Sequence, residues 1–343
     1  MGLKDAWKNR FKIGAAVSGR TLGEKAADNI VREHFSSLTC ENAMKFGAVH
    51  PEEQRWAWEE ADAVADYARK NNIPMRGHTI VWHNQNPDWL FRETPSSGPD
   101  SVSKAALYRR LEDHIETLTS RYNDIVYAWD VLNEVIEVDK ENDQGFRLSE
   151  WYKKCGFEVY ALAFKLMRQA SPGKKLFYND FNNEAGKKME AVIAFLRKLL
   201  DAGLPLDGIG VQGHWRWNYP DAETLRSCFK AYSELGLEIE ITELDISAYG
   251  PDEGQKPAQY FKSMPEDRLA GLNERYLDIY RAAAEFPAVG NITTWGIADN
   301  YTWLDSFPIR EGGRKNWPLL FDAEFRPKAA VADLIDLGQK LSR

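Results

Sequence analysis

The sequence predicts a single domain of the (β/α)8 barrel class that spans residues 1–343. Short apolar runs alternate with longer amphipathic segments along the chain, and eight such alternations fit this length. No linker rich in Pro, Gly or Ser divides the chain. An open doubly wound sheet, the alternative α/β architecture, favours a glycine-rich phosphate-binding turn after a strand, and neither such a turn nor a Walker motif follows a predicted strand here.

Eight strands are predicted from apolar runs that are too short for helices. Val126–Glu134 begins as a continuous apolar run and ends on a carboxylic acid, which is typical of a strand buried on both faces with chemistry at its tip. Glu238–Ile246 also carries a carboxylate, Glu243, near its end. The predicted strands are Phe11–Ser18, Phe35–Asn42, Pro74–His83 with its exit loop, Val126–Glu134, Lys175–Asn182, Gly208–Trp215, Glu238–Ile246 and Asn291–Asp299.

The segments between the strands have the apolar spacing of amphipathic helices. Ser103 follows a loop rich in Ser, Pro and Gly and is placed to cap a helix over Lys104–Tyr122. Ser-Pro-Gly at 171–173 ends a long predicted helix over Leu148–Ala170. The other predicted helices are Gly23–His34, Glu59–Asn71, Lys187–Ala202, Asp221–Leu235, Asp267–Glu285 and Lys328–Leu341.

Composition and charge exclude several classes of partner. The net charge is −8, from 44 basic and 52 acidic residues, and no basic block occurs, which argues against nucleic acid. No run approaches the roughly 20 apolar residues of a membrane span, so no membrane partner is expected. The 12 Trp and 14 Tyr residues favour flat platforms for a ring-shaped ligand. The oligomeric state is not set by the sequence.

The cysteines and the N-terminus favour a cytoplasmic protein. Cys40, Cys155 and Cys228 are too few for a disulfide framework, and no Cys-x-x-Cys pair indicates structural zinc. An odd number of cysteines suits a reducing compartment. The first residues lack the apolar region of a signal peptide. A secreted protein whose leader has been removed is the alternative.

Polar side chains gather at the carboxyl ends of the predicted strands, where functional residues of a barrel lie. Two carboxylates on different strands suit glycoside hydrolysis, with amides, imidazoles and indoles to bind sugar. Metal-assisted hydrolysis competes because His, Asp and Glu are also ligands, but neither His-x-His nor His-Glu-x-x-His occurs. A Gly-x-Ser-x-Gly elbow for serine chemistry is also missing.

Several motifs at these strand ends resemble one family. They are T-C-E-N-A-M-K-F at 39–46, R-G-H-T-I-V-W-H-N-Q at 76–85, W-D-V-L-N-E at 129–134, Y-N-D-F-N at 178–182, G-V-Q-G-H at 210–214, I-T-E-L-D at 241–245 and W-G-I-A-D at 295–299. In this order, the chain resembles the endo-β-1,4-xylanases of glycoside hydrolase family 10 from Ile13 to about Asp322. The chain departs from the family at Ala43, a position where family members often have a second acid.

The resemblance implies a retaining mechanism without a cofactor or a catalytic metal. Glu134 is then the general acid/base and Glu243 the nucleophile, with the two carboxyl groups about 5–5.5 Å apart. Asn133 is expected to bind the 2-hydroxyl of the sugar in the −1 subsite. His214 is expected to hold Glu243 in place, and Asp245 to steady His214.

The remaining substrate-binding residues also follow from the resemblance. Glu41, Asn42, Lys45 and Gln85 are expected to bind sugar in the −2 and −1 subsites. His78, Trp82 and His83 are expected to line the −1 pocket, Gln212 to lie close to the nucleophile, and Trp295 and Trp303 to wall the glycone side.

Two alternatives stay open. A β-1,4-glucanase of similar build is separated by the hydroxymethyl group of glucose, which Trp295, Trp303 and Lys45 are expected to crowd. A non-catalytic sugar-binding barrel requires that one of the two carboxylates be missing, and both are present. The loop at 300–318, with Arg310 and Lys315 as candidate substrate contacts, resembles cytoplasmic bacterial members that act on short xylo-oligosaccharides. Xylo-oligosaccharides derived from xylan, or xylan itself, are therefore the expected substrates.

Overall fold

The computed structural model describes residues 1–94, 96–98, 101–138, 145–307 and 313–341. The chain forms two compact units. We call Met1–Leu38 with Val211–Arg343 the terminal unit, and Thr39–Gly210 the central unit. Arg310 and part of the 300–318 loop lie outside the described residues, as do Pro95, Pro99 and Asp100 of the loop before Ser103. The single-domain organisation stays a prediction.

The secondary structure follows the predicted alternation. In the described residues the strands are β1 (Lys12–Val17), β2 (Ser37–Cys40), β3 (Met75–Gly77), β4 (Val81–Trp82), β5 (Val126–Asn133), β6 (Lys175–Asp180), β7 (Gly208–Val211), β8 (His214–Arg216), β9 (Glu238–Ser247) and β10 (Val289–Thr294). The helices are α1 (Leu3–Trp7), α2 (Gly19–Leu22), α3 (Lys25–His34), α4 (Phe46–Val49), α5 (Glu59–Asn71), α6 (Lys104–Tyr122), α7 (Glu150–Cys155), α8 (Glu158–Ala170), α9 (Gly186–Asp201), α10 (Ala222–Ser233), α11 (Glu266–Ala284) and α12 (Ala329–Leu341).

In the central unit, β5 lies between β3 and β6 and pairs with both in parallel. The short β4 also pairs with β5. Seven of the eight β5 residues are buried, because neighbouring strands cover its edges and side chains pack on both faces. The predicted fourth strand is therefore confirmed, and it ends one residue before Glu134.

In the terminal unit, β9 is the longest strand and organises the others. It pairs in parallel with β10 and with β8, and β10 pairs in parallel with β1. Eight of its ten residues are buried, and Glu243 and Asp245 lie within this buried stretch. Glu240 is buried in the same strand, and each of these carboxylates requires a partner, since an unpaired buried charge is costly.

Three predicted elements are divided in the structure. The predicted sixth strand forms β7 and β8, with Gln212 and Gly213 between them. The predicted third strand forms β3 and β4, with His78, Thr79 and Ile80 between them. The single helix predicted over Leu148–Ala170 is wrong, because α7 ends at Cys155 and α8 begins at Glu158. Gly156 lies between them with φ of +61°, a conformation that interrupts a helix and that glycine adopts without a Cβ clash.

Candidate active site

Glu134 lies at the tip of β5 in the central unit with an unusual backbone. Its φ is +56°, in the left-handed region that residues with a Cβ rarely adopt. Its backbone N–H donates to the carbonyl of Asn179 at 2.9 Å, so the residue after β5 stays tied to the tip of β6. Backbone strain of this kind persists only where the surroundings enforce it, and it clusters at functional sites.

Asn133 and His83 are polar neighbours of the Glu134 carboxyl group. Asn133 Nδ2 donates to Oε1 at 3.3 Å, and His83 Nδ1 lies 3.6 Å from Oε2. The side chain of Glu134 is 13% exposed, so it is largely buried but keeps some contact with solvent. This arrangement suits a group that exchanges a proton with a bound molecule.

Asn179 sets the orientation of the Asn133 amide. Asn179 Nδ2 donates to Asn133 Oδ1 at 2.9 Å, and both side chains are buried. Because the oxygen of Asn133 accepts from Asn179, its Nδ2 faces Glu134 and can donate to a ligand. The two residues therefore present a hydrogen-bond donor beside a carboxyl group at the end of β5.

His78 is held by a buried ion pair. Its Nδ1 lies 2.9 Å from Asp130 Oδ2, and Arg76 binds the same carboxylate oxygen. Arg76 is 1% exposed and Asp130 is fully buried. The sequence analysis did not single out Asp130, although a charged residue inside a buried strand is itself a signal of a polar network.

A second polar cluster in the central unit consists of Glu41, Asn42, Lys45 and Trp82. Lys45 Nζ donates to Asn42 Oδ1 at 2.8 Å and lies 4.8 Å from the centre of the Trp82 ring. Burial raises the pKa of the Glu41 carboxyl, while the Lys45 charge and the Asn42 amide favour its ionised form. An acid, an amide, an ammonium and an indole in one cluster can bind several hydroxyl groups and one sugar face.

Gln85 is exposed at the edge of a cavity of about 360 Å³ in the same unit. Its backbone carbonyl accepts from Gly47 N at 2.8 Å. His83 also lines the cavity, together with the amides of Asn84 and Asn86. Amide-rich walls of this kind can exchange hydrogen bonds with a polar ligand.

Glu243 lies in β9 of the terminal unit and is held at both its backbone and its side chain. Its N–H donates to the carbonyl of Gln212 at 2.7 Å, and its Oε2 lies 3.1 Å from His214 Nε2. The Glu243 side chain is 7% exposed. His214 Nδ1 in turn lies 3.0 Å from Asp245 Oδ2, so the imidazole ring bridges two carboxylates.

Trp303 and Trp295 enclose this imidazole. The Trp303 ring centre lies 4.9 Å from that of His214, and the Trp295 ring centre lies 6.4 Å from it. Trp303 Nε1 donates to Asp245 Oδ2 at 2.7 Å. The predicted wall residue Trp303 is thus also a hydrogen-bond donor to Asp245, which fixes the plane of its ring.

The electrostatics of the terminal unit favour a charged His214. Burial lowers its pKa, but the carboxylates of Asp245 and Glu243 outweigh this effect and raise the pKa to about 10. A protonated imidazole beside Glu243 stabilises negative charge on that carboxylate. The arrangement is suited to keeping Glu243 anionic and oriented, as a nucleophile requires.

We expect His214 to make the protein less stable as the pH rises through about 10. The folded-state pKa lies above the unfolded value of 6.5, so the stabilisation is complete below about pH 6.5 and is lost towards pH 10. The difference in Tm between the protein and His214→Gln is therefore several degrees smaller at about pH 10 than at about pH 6. Thermal unfolding followed by circular dichroism measures it.

His34→Gln is the matched control, because burial lowers the pKa of His34 in the same unit. The Tm difference for this variant is expected not to shrink over the same interval, since the sign of the linkage is reversed. A His214 difference that is constant or grows towards pH 10 contradicts the ion-pair assignment.

Each unit thus brings together its own set of the predicted residues. The central unit holds Glu41, Asn42, Lys45, His78, Trp82, His83, Gln85, Asn133 and Glu134, and the terminal unit holds Gln212, His214, Glu243, Asp245, Trp295 and Trp303. The sequence analysis placed Asn179 in a motif at a strand end without giving it a role, and it missed Arg147. Arg147 Nε donates to the carbonyl of Glu134 at 2.9 Å, and no motif in the sequence indicates this pairing.

Within residues 1–94, 96–98, 101–138, 145–307 and 313–341, two features that would indicate other classes of site are absent. None of the helices in these ranges has the length and hydropathy to carry it across a lipid bilayer. In the same ranges, no group of three or more His, Cys, Asp or Glu side chains is arranged to hold a metal ion.

Comparison with known proteins identifies relatives over almost the whole length. The model of glycosyl hydrolase family 10 matches residues 2–337. Endo-1,4-beta-xylanase A of Caldicellulosiruptor saccharolyticus is 43% identical over 333 residues, which cover 96% of this chain and 94% of that protein. Endo-1,4-beta-xylanase B of Paenibacillus barcinonensis is 41% identical over 328 residues, which cover 95% of each.

Solved structures show the same extent of similarity. The crystal structure of an endo-1,4-beta-xylanase from Caldicellulosiruptor owensensis has a TM-score of 0.91 and 40% identity, over 98% of this chain and 99% of that chain. A mutant structure in complex with xylotriose has a TM-score of 0.91 and 39% identity, with the same coverage. Together with the parallel strands and intervening helices of each unit, this similarity confirms the predicted (β/α)8 fold class.

Proposed function

This chain belongs to glycosyl hydrolase family 10, and from that membership we propose that it is a retaining endo-1,4-β-xylanase. Relatives with the name endo-1,4-beta-xylanase align with nearly all of it at up to 43% identity. The structural observation that best supports the proposal is the buried Glu243 carboxylate, held 3.1 Å from a charged His214. A buried carboxylate oriented by a neighbouring imidazole suits attack on an anomeric carbon.

The proposed reaction has two steps. Glu134 donates its proton to the oxygen of the departing sugar while Glu243 attacks the anomeric carbon, and a covalent glycosyl-enzyme forms. Esterification removes the negative charge of Glu243. Glu134 is then free to remain deprotonated, and it takes a proton from the water that attacks the anomeric carbon. Asn133 Nδ2, oriented by Asn179, is available to donate to the 2-hydroxyl of the same sugar.

The remaining predicted residues are proposed to bind the sugar chain. Glu41, Asn42 and Lys45 offer an acid, an amide and an ammonium beside the Trp82 ring, a set that hydrogen-bonds hydroxyl groups and packs on a pyranose face. Trp295 and Trp303 supply further aromatic surface around His214.

We expect the protein to prefer xylose to glucose in its glycone sites. The close packing of Lys45 on Asn42 and Trp82 is expected to crowd the hydroxymethyl group that glucose carries and xylose lacks. One misfitting carbon group is worth roughly tenfold to 200-fold in kcat/KM. Initial rates on an aryl β-xylobioside and the corresponding aryl β-cellobioside measure the preference.

Equal kcat/KM values for the two substrates would instead favour a β-1,4-glucanase. Stable binding of xylotriose without turnover, followed by calorimetry, would favour a sugar-binding barrel. Both outcomes are distinct from a preference for the xylobioside.

The cysteines support a narrower proposal for the cellular location of the enzyme and for the length of its substrates. All three cysteines are buried thiols, which suits a reducing compartment and a cytoplasmic enzyme acting on short xylo-oligosaccharides. Product profiles from xylotriose, xylohexaose and polymeric xylan test this preference, and faster release of reducing ends from the polymer would contradict it.

A further inference from the structure

We propose that Arg147 is a positioning residue for Glu134, which holds the acid/base in its left-handed backbone conformation. The inference rests on the proposed function, because it concerns the group that donates the proton. Arg147 lies 13 residues beyond Glu134 and touches the backbone of Glu134, not its carboxyl group. Its role is therefore to fix the direction of the Glu134 side chain.

The left-handed conformation of Glu134 needs support from outside the residue itself. At φ of +56° the Cβ of an L-residue crowds its own backbone, so an extended conformation is intrinsically preferred. A return to that conformation would redirect the Cα–Cβ bond and carry the carboxyl group away from Asn133 and His83. The conformation that aims the carboxyl group is thus one that the chain gives up readily when its anchors are lost.

Two hydrogen bonds hold the backbone of Glu134, one at its N–H and one at its carbonyl. Asn179 accepts from the Glu134 N–H through its backbone carbonyl at 2.9 Å, and this anchor belongs to the main chain. Arg147 donates from Nε to the Glu134 carbonyl at 2.9 Å, and this anchor is a side chain that substitution can remove. Of the two hydrogen bonds, the one from Arg147 is therefore the one that depends on the identity of a side chain.

Arg147 is itself fixed on both sides. Its backbone N–H donates to Val135 O at 2.8 Å, and Glu137 N donates to Gly145 O at 2.9 Å, so the two segments pair closely. Its Nη1 donates to Glu137 Oε1 at 2.8 Å, and its side chain is only 14% exposed. Held in this way, the guanidinium group keeps Nε on the carbonyl with little freedom to turn.

The geometry of the contact requires a guanidinium group. Nε and Nη1 point to two acceptors, a carbonyl and a carboxylate, with the fixed angle of a planar fork. A lysine at the same position carries its donors on one nitrogen at the end of a flexible stem, so it lacks two nitrogens held at a fixed separation and angle. Arg147→Lys is therefore expected to keep the positive charge but to hold the Glu134 carbonyl less firmly.

The experiment compares substrates that differ in how much they need a proton at the leaving oxygen. A dinitrophenyl β-xylobioside leaves without help, whereas xylotriose needs protonation by Glu134. We expect Arg147→Ala and Arg147→Lys to lose on the order of 10²-fold in kcat on xylotriose, the cost of a misplacement of about 1 Å. On the dinitrophenyl substrate, formation of the glycosyl-enzyme is expected to change by less than about threefold.

The background of Glu134→Ala provides the second readout. Once the acid/base is absent, there is no carboxyl group left to aim, so adding Arg147→Ala is expected to cause no further loss in either substrate. Circular dichroism spectra and Tm values show whether each variant folds. If Arg147→Ala fails to fold, Arg147→Lys carries the test.

Arg168 is the matched control, because it also lies in the central unit and binds one carbonyl and one carboxylate. Its Nη1 donates to Lys174 O at 2.8 Å, and its Nη2 pairs with Asp207. Arg168→Ala is expected to lower Tm without any dependence of activity on the leaving group.

The proposal is overturned if Arg147 variants lose the same factor in kcat on xylotriose and in the rate of glycosyl-enzyme formation from the dinitrophenyl substrate. It is also overturned if the loss caused by Arg147→Ala persists unchanged in the Glu134→Ala background. Either result marks Arg147 as a general structural residue. Failure of the proposed function looks different, since the unsubstituted protein then hydrolyses neither xylotriose nor the aryl xylobioside.

Discussion

Replacement of Glu243 by alanine is expected to reduce turnover of every β-xyloside by on the order of 10⁴–10⁶-fold, the loss typical of a missing nucleophile. The loss is independent of the leaving group, because no glycosyl-enzyme can form without the carboxylate. Steady-state kinetics on an aryl xylobioside and on xylotriose measure it.

Azide tests the position of the missing group as well as its identity. In Glu243→Ala a small anion can occupy the vacated space and attack the anomeric carbon from the face that Glu243 used. The aryl group leaves with the bonding electrons, and the product is an α-glycosyl azide of inverted configuration. A β-azide, or the absence of rescue in a folded variant, contradicts the assignment of Glu243 as nucleophile.

Glu238→Ala is a suitable control on the same strand. Glu238 opens β9, whereas Glu243 lies five residues further along it. The control is expected to retain activity and to form no azide product. Loss of activity in both variants would indicate damage to β9 and not removal of a nucleophile.

The strands and the catalytic candidates could be predicted because the burial of a strand and the position of its end produce local patterns in the sequence. A strand covered on both faces must be apolar over several residues, as Val126–Asn133 shows, and a polar residue at its end then marks the edge of the sheet. Glu134 fits this rule. Glu243 was predicted by the same reasoning, but it lies inside β9, four residues before the strand ends. The break at Gly156 escaped prediction because the apolar spacing of the flanking helices continues across it.

The residues that support the site produce no such local pattern in the sequence. Trp303 and Asp245 are 58 residues apart, and Arg147 is 13 residues from Glu134. Nothing in a single sequence pairs an indole N–H with one carboxylate among 52 acidic residues, or a guanidinium group with one carbonyl. These pairs follow from the folded backbone, and the positive φ of Glu134 likewise has no residue-type signal, since glutamate is not a residue that favours it.

Replacement of Glu134 by alanine is expected to produce losses that depend strongly on the leaving group. Xylotriose and other substrates with poor leaving groups are expected to lose about 10²–10⁴-fold, the usual contribution of a positioned acid. A dinitrophenyl xylobioside, which departs without a proton, is expected to form the glycosyl-enzyme at nearly the original rate. Its hydrolysis then stalls because the base of the second step is the same residue.

This stalled intermediate distinguishes Glu134 from a residue that only binds sugar. Pre-steady-state kinetics are expected to show a burst of dinitrophenolate equal to the enzyme concentration, followed by slow turnover. Azide needs no deprotonation to attack, so it is expected to release the glycosyl-enzyme as a β-azide of retained configuration. The opposite configurations obtained from Glu134→Ala and Glu243→Ala then separate the two roles.

Glu158→Ala serves as the control for the loss of a carboxylate in the central unit. Glu158 pairs with Lys104 at the surface, and its side chain is 71% exposed. The control is expected to show no burst and no azide product. Equal losses of Glu134→Ala on xylotriose and on the dinitrophenyl substrate would argue against the acid role, because a proton donor matters only where the leaving group needs its proton. A residue whose removal slows both substrates alike would be contributing to binding or to folding.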